Sequence, residues 1–165
     1  MISPNAYFFE ISDTVTPLTE TMLGKEWNDY NLQEGVDKWT EYGDDIQFRT
    51  VSSGPAQCWW MGIEHMYELP ERHRDPQFIR FGPSSSVPIH KDPKSLAWIA
   101  VTIVGDQPLE FYNDVKTKLF SARYKFALVN SKQPHYCDVK GKERVLFRKI
   151  YTETSYDTLL SLLND

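Results

Sequence analysis

The pattern of apolar and polar positions along the chain changes near Gly54. Beyond it, short apolar runs alternate with Pro, Gly, Asn and Asp, which is how an all-β sandwich or barrel reads. These runs predict strands over residues 57–63, 77–81, 96–104, 109–112, 124–130 and 144–151. Before Gly54 the pattern is mixed, with Tyr7-Phe8-Phe9-Glu10-Ile11 predicting a strand and residues 17–28 a helix. Near the end, Thr154 precedes Ser155-Tyr156-Asp157, a helix start with an acidic residue three positions on. Leu159, Leu160, Leu162 and Leu163 then give that helix an apolar face for packing on the sandwich.

No internal repeat or long polar linker interrupts the chain, and the richest turn segment is the short Gly82-Pro83-Ser84-Ser85-Ser86. One domain over residues 1–165 is expected, with flanking strands and helices over 1–56, a β core over 57–151 and a helix over 152–165. Composition changes this picture little: 41% hydrophobic and 25% charged residues are ordinary for a folded protein. A net charge of −5 argues against general attraction to nucleic acid or anionic membrane. No stretch approaches the ~20 apolar residues of a membrane span, and no secretory signal is visible. Two cysteines, Cys58 and Cys137, fit a reducing setting, so the cytoplasm is the expected compartment.

Candidate chemistry lies in Ile89-His90-Lys91-Asp92. Side chains two residues apart on a strand share a face, so His90 and Asp92 can converge on one point while Lys91 turns away. A third ligand from a distant strand would complete one face of an octahedron, and His135, between Pro134 and Tyr136, is the only other histidine after residue 77. Two imidazoles and one carboxylate suit Fe(II), because the open positions admit a chelating co-substrate and dioxygen. If that co-substrate is 2-oxoglutarate, its distal carboxylate needs a guanidinium partner. Arg144, nine residues after His135, is the first choice, and Arg148 on the same strand face is the substitute.

From Phe78 to Tyr151 the chain resembles the catalytic core of Fe(II)/2-oxoglutarate-dependent oxygenases, including small ones encoded by bacteriophages. Phe78-Ile79-Arg80-Phe81-Gly82-Pro83 followed by Val87-Pro88-Ile89-His90-Lys91-Asp92 looks like that family's strand, turn and HxD motif. Leu128-Val129-Asn130, Pro134-His135 and Glu143-Arg144-Val145-Leu146-Phe147 look like its distal-histidine and co-substrate-arginine segment. The resemblance implies a double-stranded β-helix, a jelly roll of cupin-like type, with the iron triad and the role given to Arg144. It further implies a dioxygenase that converts 2-oxoglutarate to succinate while hydroxylating a C–H bond. The expected substrate is an amino-acid side chain, in a protein or free, or a small metabolite. The spacing around His135 also resembles the aspartyl/asparaginyl β-hydroxylase branch. That branch, however, places an arginine nine residues after the first metal histidine, where this chain has Ile99, and it lacks the carboxylate that Asp92 supplies.

Other readings of the same residues stand beside this one. His90, Asp92, His135 and Cys137 could form a closed structural zinc site. The β-rich half could equally be a cupin-like binding or scaffold protein without catalysis. His65 and His73 read as ordinary exposed histidines, and two of Trp59, Trp60 and Trp98 as core, with the third lining a pocket. Arg80 could contact a ligand or sit on the exterior. Asn130 could orient the His135 loop or simply form a turn.

Overall fold

Antiparallel pairing between strands far apart in sequence shapes the molecule. In the computed structural model, residues 4–11, 22–26, 40–41 and 45–164 are described. Their strands are β1 (Phe8–Glu10), β2 (Thr40–Glu41), β3 (Ile46–Thr50), β4 (Gln77–Phe81), β5 (Ala97–Val104), β6 (Leu109–Tyr112), β7 (Lys118–Ala122), β8 (Phe126–Val129), β9 (His135–Tyr136) and β10 (Arg144–Tyr151). The helices are α1 (residues 22–26), α2 (Pro55–Tyr67) and α3 (Tyr156–Leu163). A large sheet runs β1-β8-β5-β10-β4-β3-β2 and a small one β7-β6-β9. The result is a mainly β jelly roll of the double-stranded β-helix kind, open rather than closed into a barrel.

β10 shows how the large sheet separates two cores. With a period of two, Val145, Phe147 and Tyr151 enter one apolar cluster, together with Trp60, Ile63 and Leu159 of α2 and α3. Leu146 and its partly buried neighbour Ile150 enter the other, between the two sheets, with Ile79, Trp98, Leu109 and Phe111. Lys149 breaks the apolar pattern on the helix-facing side. It is fully buried, its Nζ lies 3.1 Å from Glu64 Oε1 of α2, and it also donates to the Glu71 carbonyl.

Five predicted strands appear as β4, β5, β6, β8 and β10, and residues 7–11 contain β1. Residues 57–63, predicted as a strand, instead lie inside α2. Pro55 sits in the first turn, where its missing N–H is no loss, and Ala56, Trp60, Ile63 and Glu64 are buried at helical spacing. The β-forming character of Trp59, Trp60 and Ile63 yields to that spacing, because one face of a helix can cover the sheet. Glu26 of α1 completes the start of α2: its Oε2 accepts a hydrogen bond from Ala56 N at 2.6 Å. The β-rich part therefore does not begin at residue 57, since β3 already pairs with β4 in the large sheet. Of the predicted helix over 17–28, residues 22–26 are helical and the rest lies outside the described residues.

α3 forms as expected but is capped one residue later, by Ser155, whose side chain accepts Thr158 N at 3.2 Å. The Thr154 N–H goes instead to Glu71 Oε1 at 2.8 Å. Among the described residues, no helix is long and apolar enough to cross a membrane.

Candidate metal centre

Two chain segments meet here: the stretch carrying His90 and Asp92, which connects β4 to β5 of the large sheet, and the turn from β8 of the large sheet into β9 of the small one. Their backbones meet in an isolated antiparallel bridge, with His90 N donating to His135 O at 3.1 Å and His135 N to His90 O at 2.9 Å. Directly opposed residues of an antiparallel pair present their side chains on the same face. The two imidazoles accordingly lie side by side, ring centroids 4.4 Å apart. Asp92, two residues on, keeps that face; its N–H donates to Ser131 O at 3.0 Å. Lys91 points away, paired with Asp114 at 3.0 Å.

Asp92 Oδ1 is 3.2 Å from His90 Nε2 and 3.3 Å from His135 Nε2. One ligand atom from each residue lies within 4.8 Å of the others, a spacing one ion can bridge. The outer nitrogens are also fixed: His90 Nδ1 lies 2.8 Å from Pro88 O and His135 Nδ1 2.8 Å from Gln133 O. A carbonyl only accepts, so each Nδ1 carries a proton and, in the neutral ring, Nε2 offers its lone pair to the centre. Asn130 shapes the turn beneath. Its Nδ2 donates to Ala6 O at 3.1 Å, and its Oδ1 accepts Lys132 N at 3.2 Å. Ser95 and Ser131 hydroxyls, both buried and 2.8 Å apart, tie the two segments together.

The hydrogen bond to Asp92 raises His90 above its ordinary value of 6.5, against the opposing effect of burial. Burial pushes the Asp92 carboxyl up, but hydrogen bonds from His135 and His90 outweigh it and hold the group well below the usual carboxylate range. A metal must displace the proton that His90 holds. Because His90 keeps that proton to a higher pH than a free histidine, the apparent affinity for Mn²⁺ should climb with pH and level off only above 6.5. Isothermal titration at several pH values between about 6 and 8 checks this, with proton release at the low end. An affinity constant across that range would remove His90 from the ligand set.

The triad borders a cavity of about 690 Å³ between the sheets. β10 contributes Arg144 and Arg148 to its wall, four residues apart and so roughly 13 Å along the strand. Arg144 is buried at 3% exposure, and one of its five N–H donors goes to the Gln107 carbonyl at 2.8 Å. Its guanidinium sits 5.4 Å from the Tyr124 ring centroid. The buried Tyr124 hydroxyl faces the Arg144 guanidinium, and burial raises its pKa. Such a pair is suited to receiving a carboxylate. Tyr124 and Gln107 were missed in the sequence, where a tyrosine ahead of an apolar strand looks like core and no local spacing links either residue to Arg144.

The remaining candidates separate cleanly. Cys137 stands outside the triad; its Sγ is 3.9 Å from the Gln107 carbonyl, and burial raises its thiol pKa. Arg80 faces away from the cavity and pairs with Glu143 at 2.6 Å and Asp45 at 3.2 Å. His65 and His73 are exposed. Trp60, on the buried face of α2, is in the core with Trp59 packed against that cluster, while Trp98 lines the cavity.

No family model and no curated protein sequence matches the chain. Solved structures do. An oxidoreductase of the 2OG-Fe(II) oxygenase family from Burkholderia pseudomallei is similar over 90% of this chain and 84% of its own, at 11% identity and a TM-score of 0.55. A protein from Shewanella oneidensis, described as a candidate oxygenase, is similar over 90% and 86%, at 8% identity and a TM-score of 0.53. The chain thus has the fold of a 2-oxoglutarate- and iron(II)-dependent oxygenase structure, with a His-Asp-His cluster beside its inter-sheet cavity.

Proposed function

We propose that this protein is a single-domain Fe(II)- and 2-oxoglutarate-dependent dioxygenase that hydroxylates an amino-acid side chain or a small metabolite. The observation that carries the reading is the convergence of His90, Asp92 and His135 at the edge of a cavity whose wall also holds the buried Arg144. His90 and His135 would each give Nε2 to the ion and Asp92 one carboxylate oxygen, leaving the other side of the ion open. When bound, iron with 2-oxoglutarate and dioxygen supplies the oxidation: carbon dioxide leaves, succinate takes one oxygen atom and the substrate C–H takes the other. Arg144 would hold the distal carboxylate of the co-substrate through its planar fork, with the Tyr124 hydroxyl as a second donor. Trp98, Leu109 and Leu146 would exclude water around the reacting atoms.

Dioxygen-dependent release of succinate from 2-oxoglutarate by the iron-loaded protein tests the assignment. Protein that takes up neither Fe(II) nor Mn²⁺ anaerobically would favour the non-catalytic cupin-like alternative instead. A closed zinc site is disfavoured by the position of Cys137 outside the triad. Arg144→Ala should raise the KM for 2-oxoglutarate by about tenfold or more, the scale of a charged hydrogen bond, and leave metal uptake within about twofold. An unchanged KM, with the effect appearing in Arg148→Ala, would transfer the anchor to Arg148.

A further inference from the structure

The strand register lays out one side of the cavity. Directly opposed residues of antiparallel neighbours share a face, so Arg144 of β10, Phe81 of β4 and Ile46 of β3 form one row across the large sheet. Leu146, Ile79 and Phe48 form the next. All six line the cavity, and with strands about 4.8 Å apart the rows reach about 10 Å sideways from β10. The small sheet has three strands against seven, and ring contacts of Tyr7 with Phe111 and of Phe8 with Phe120 place it over the β1 end of the large one. The β4–β3 end therefore floors the cavity. Val87, three residues before His90, stands beside that floor and packs on the same cluster as Phe48 and Phe81. The polar groups nearby are engaged elsewhere: Ser85 Oγ donates to Gly82 O at 2.7 Å. Arg148 faces Asp92 and His90, and its Nε donates to Gln77 Oε1 at 3.1 Å.

We infer that the shelf made by Ile46, Phe48, Ile79, Phe81 and Val87 seats an uncharged apolar group of the substrate, about the size of one ring, beside the metal face. The inference rests on the proposed function for what happens to the substrate, but not for how it is held. In that reading the co-substrate lies along β10, because Arg144 would take its distal carboxylate and Arg148 of the same strand faces the triad. The β4–β3 side is then left to the substrate. Ile46, Phe48, Ile79 and Phe81 span two strands and two rows, a patch of roughly 5 by 7 Å, which is the footprint of one ring. Such a patch offers neither donor nor acceptor, so a polar group set on it costs about 1–3 kcal/mol and a charge more. The shelf admits a hydrocarbon ring or a branched aliphatic group and rejects a carboxylate, an ammonium or an amide. An apolar wall with a few fixed polar groups is also the ordinary make-up of a small-molecule site of this size.

The test uses three probes built on one ring: toluene, benzoate and benzylamine. Binding is measured by calorimetry to the full chain, anaerobically with Mn²⁺ and 2-oxoglutarate and again with neither. With both present, toluene should bind at least about tenfold tighter than either charged probe, the scale of an uncompensated polar group. Bound Mn²⁺ should also broaden the toluene proton signals, because the shelf and the triad border the same cavity. Val87→Asp should weaken toluene about tenfold or more and Val87→Ala about three- to fivefold, with Mn²⁺ and 2-oxoglutarate changed less than twofold in both. Val87→Ile, which keeps the apolar surface, should bind toluene within about twofold of the parent. Benzoate or benzylamine binding as tightly as toluene overturns the inference. So does toluene binding that is indifferent to Val87→Asp and Val87→Ala, or signals left sharp by bound Mn²⁺. Failure of Mn²⁺ or 2-oxoglutarate to bind at all would sink the proposed function alone, since toluene binding to the metal-free chain, and its loss in the Val87 variants, still decides the role of the shelf.

Discussion

Asp92→Ala should lower the affinity for Fe(II) or Mn²⁺ by more than about 100-fold and abolish succinate formation. Removing only an outer partner of a metal ligand costs 10–100-fold, and here a ligand itself and its negative charge are lost. Asp92 Oδ1 is also the atom toward which both Nε2 atoms are turned, at 3.2 and 3.3 Å. One effect runs the other way. Without Asp92 the principal cause of the raised His90 pKa disappears, so protons compete less strongly with the metal. That compensation fades as pH rises, and titration at about pH 8 isolates the loss of the ligand. Asp92→Asn, which keeps the shape, should behave like Asp92→Ala in metal affinity. Parental affinity in both variants would end the assignment of this cluster as a metal centre.

Lys149→Ala should destabilise the fold by about 3–5 kcal/mol, the usual cost of leaving one member of a buried ion pair without its partner. Lys149 is 0% exposed, its Nζ pairs with Glu64 at 3.1 Å, and it donates to the Glu71 carbonyl. The Trp60 and Tyr151 rings lie 6.0 and 5.6 Å from the ammonium, so truncation also removes cation–π contacts. Burial lowers the Lys149 pKa, which marks how poorly this position solvates a charge. Replacing both partners, as in Lys149→Met with Glu64→Leu, should recover most of the loss, because an apolar pair of similar volume avoids desolvating two charges. Urea unfolding of the three proteins decides the matter; a loss below about 1 kcal/mol in Lys149→Ala would mean that water already reaches the pair.

This ion pair also explains where the fold was hard to read from sequence. Glu64 and Lys149 place charges on the buried faces of α2 and β10, and both positions look solvent-facing to a pattern of apolar spacing. In α2 the bulky Trp59, Trp60 and Ile63 then pull the reading toward a strand, although Gly54-Pro55 and burial at residues 56, 60, 63 and 64 follow a helix. β7 was missed because Lys118 and Leu119 are exposed and its inward face is short, only Phe120 and Ala122 packing on the inter-sheet core. β4, β5, β6, β8 and β10 were legible because their apolar runs are bounded by turn residues, and in β10 the run persists despite the buried Lys149. His90 and Asp92 were legible from a two-residue spacing. Tyr124 was not, because its nearness to Arg144 comes from β8 and β10 lying on either side of β5, a relation absent from local sequence.

The bridge between His90 and His135 has a mechanical consequence. Those two backbones are stitched to each other where the chain passes from one layer to the other, so the gap between the imidazoles is set by main-chain hydrogen bonds, not by rotamer choice. Any breathing that parted the layers at that end would break the stitch and pull the pincer open. The span across which the three side chains face one another is therefore preset by the main chain before any ion arrives.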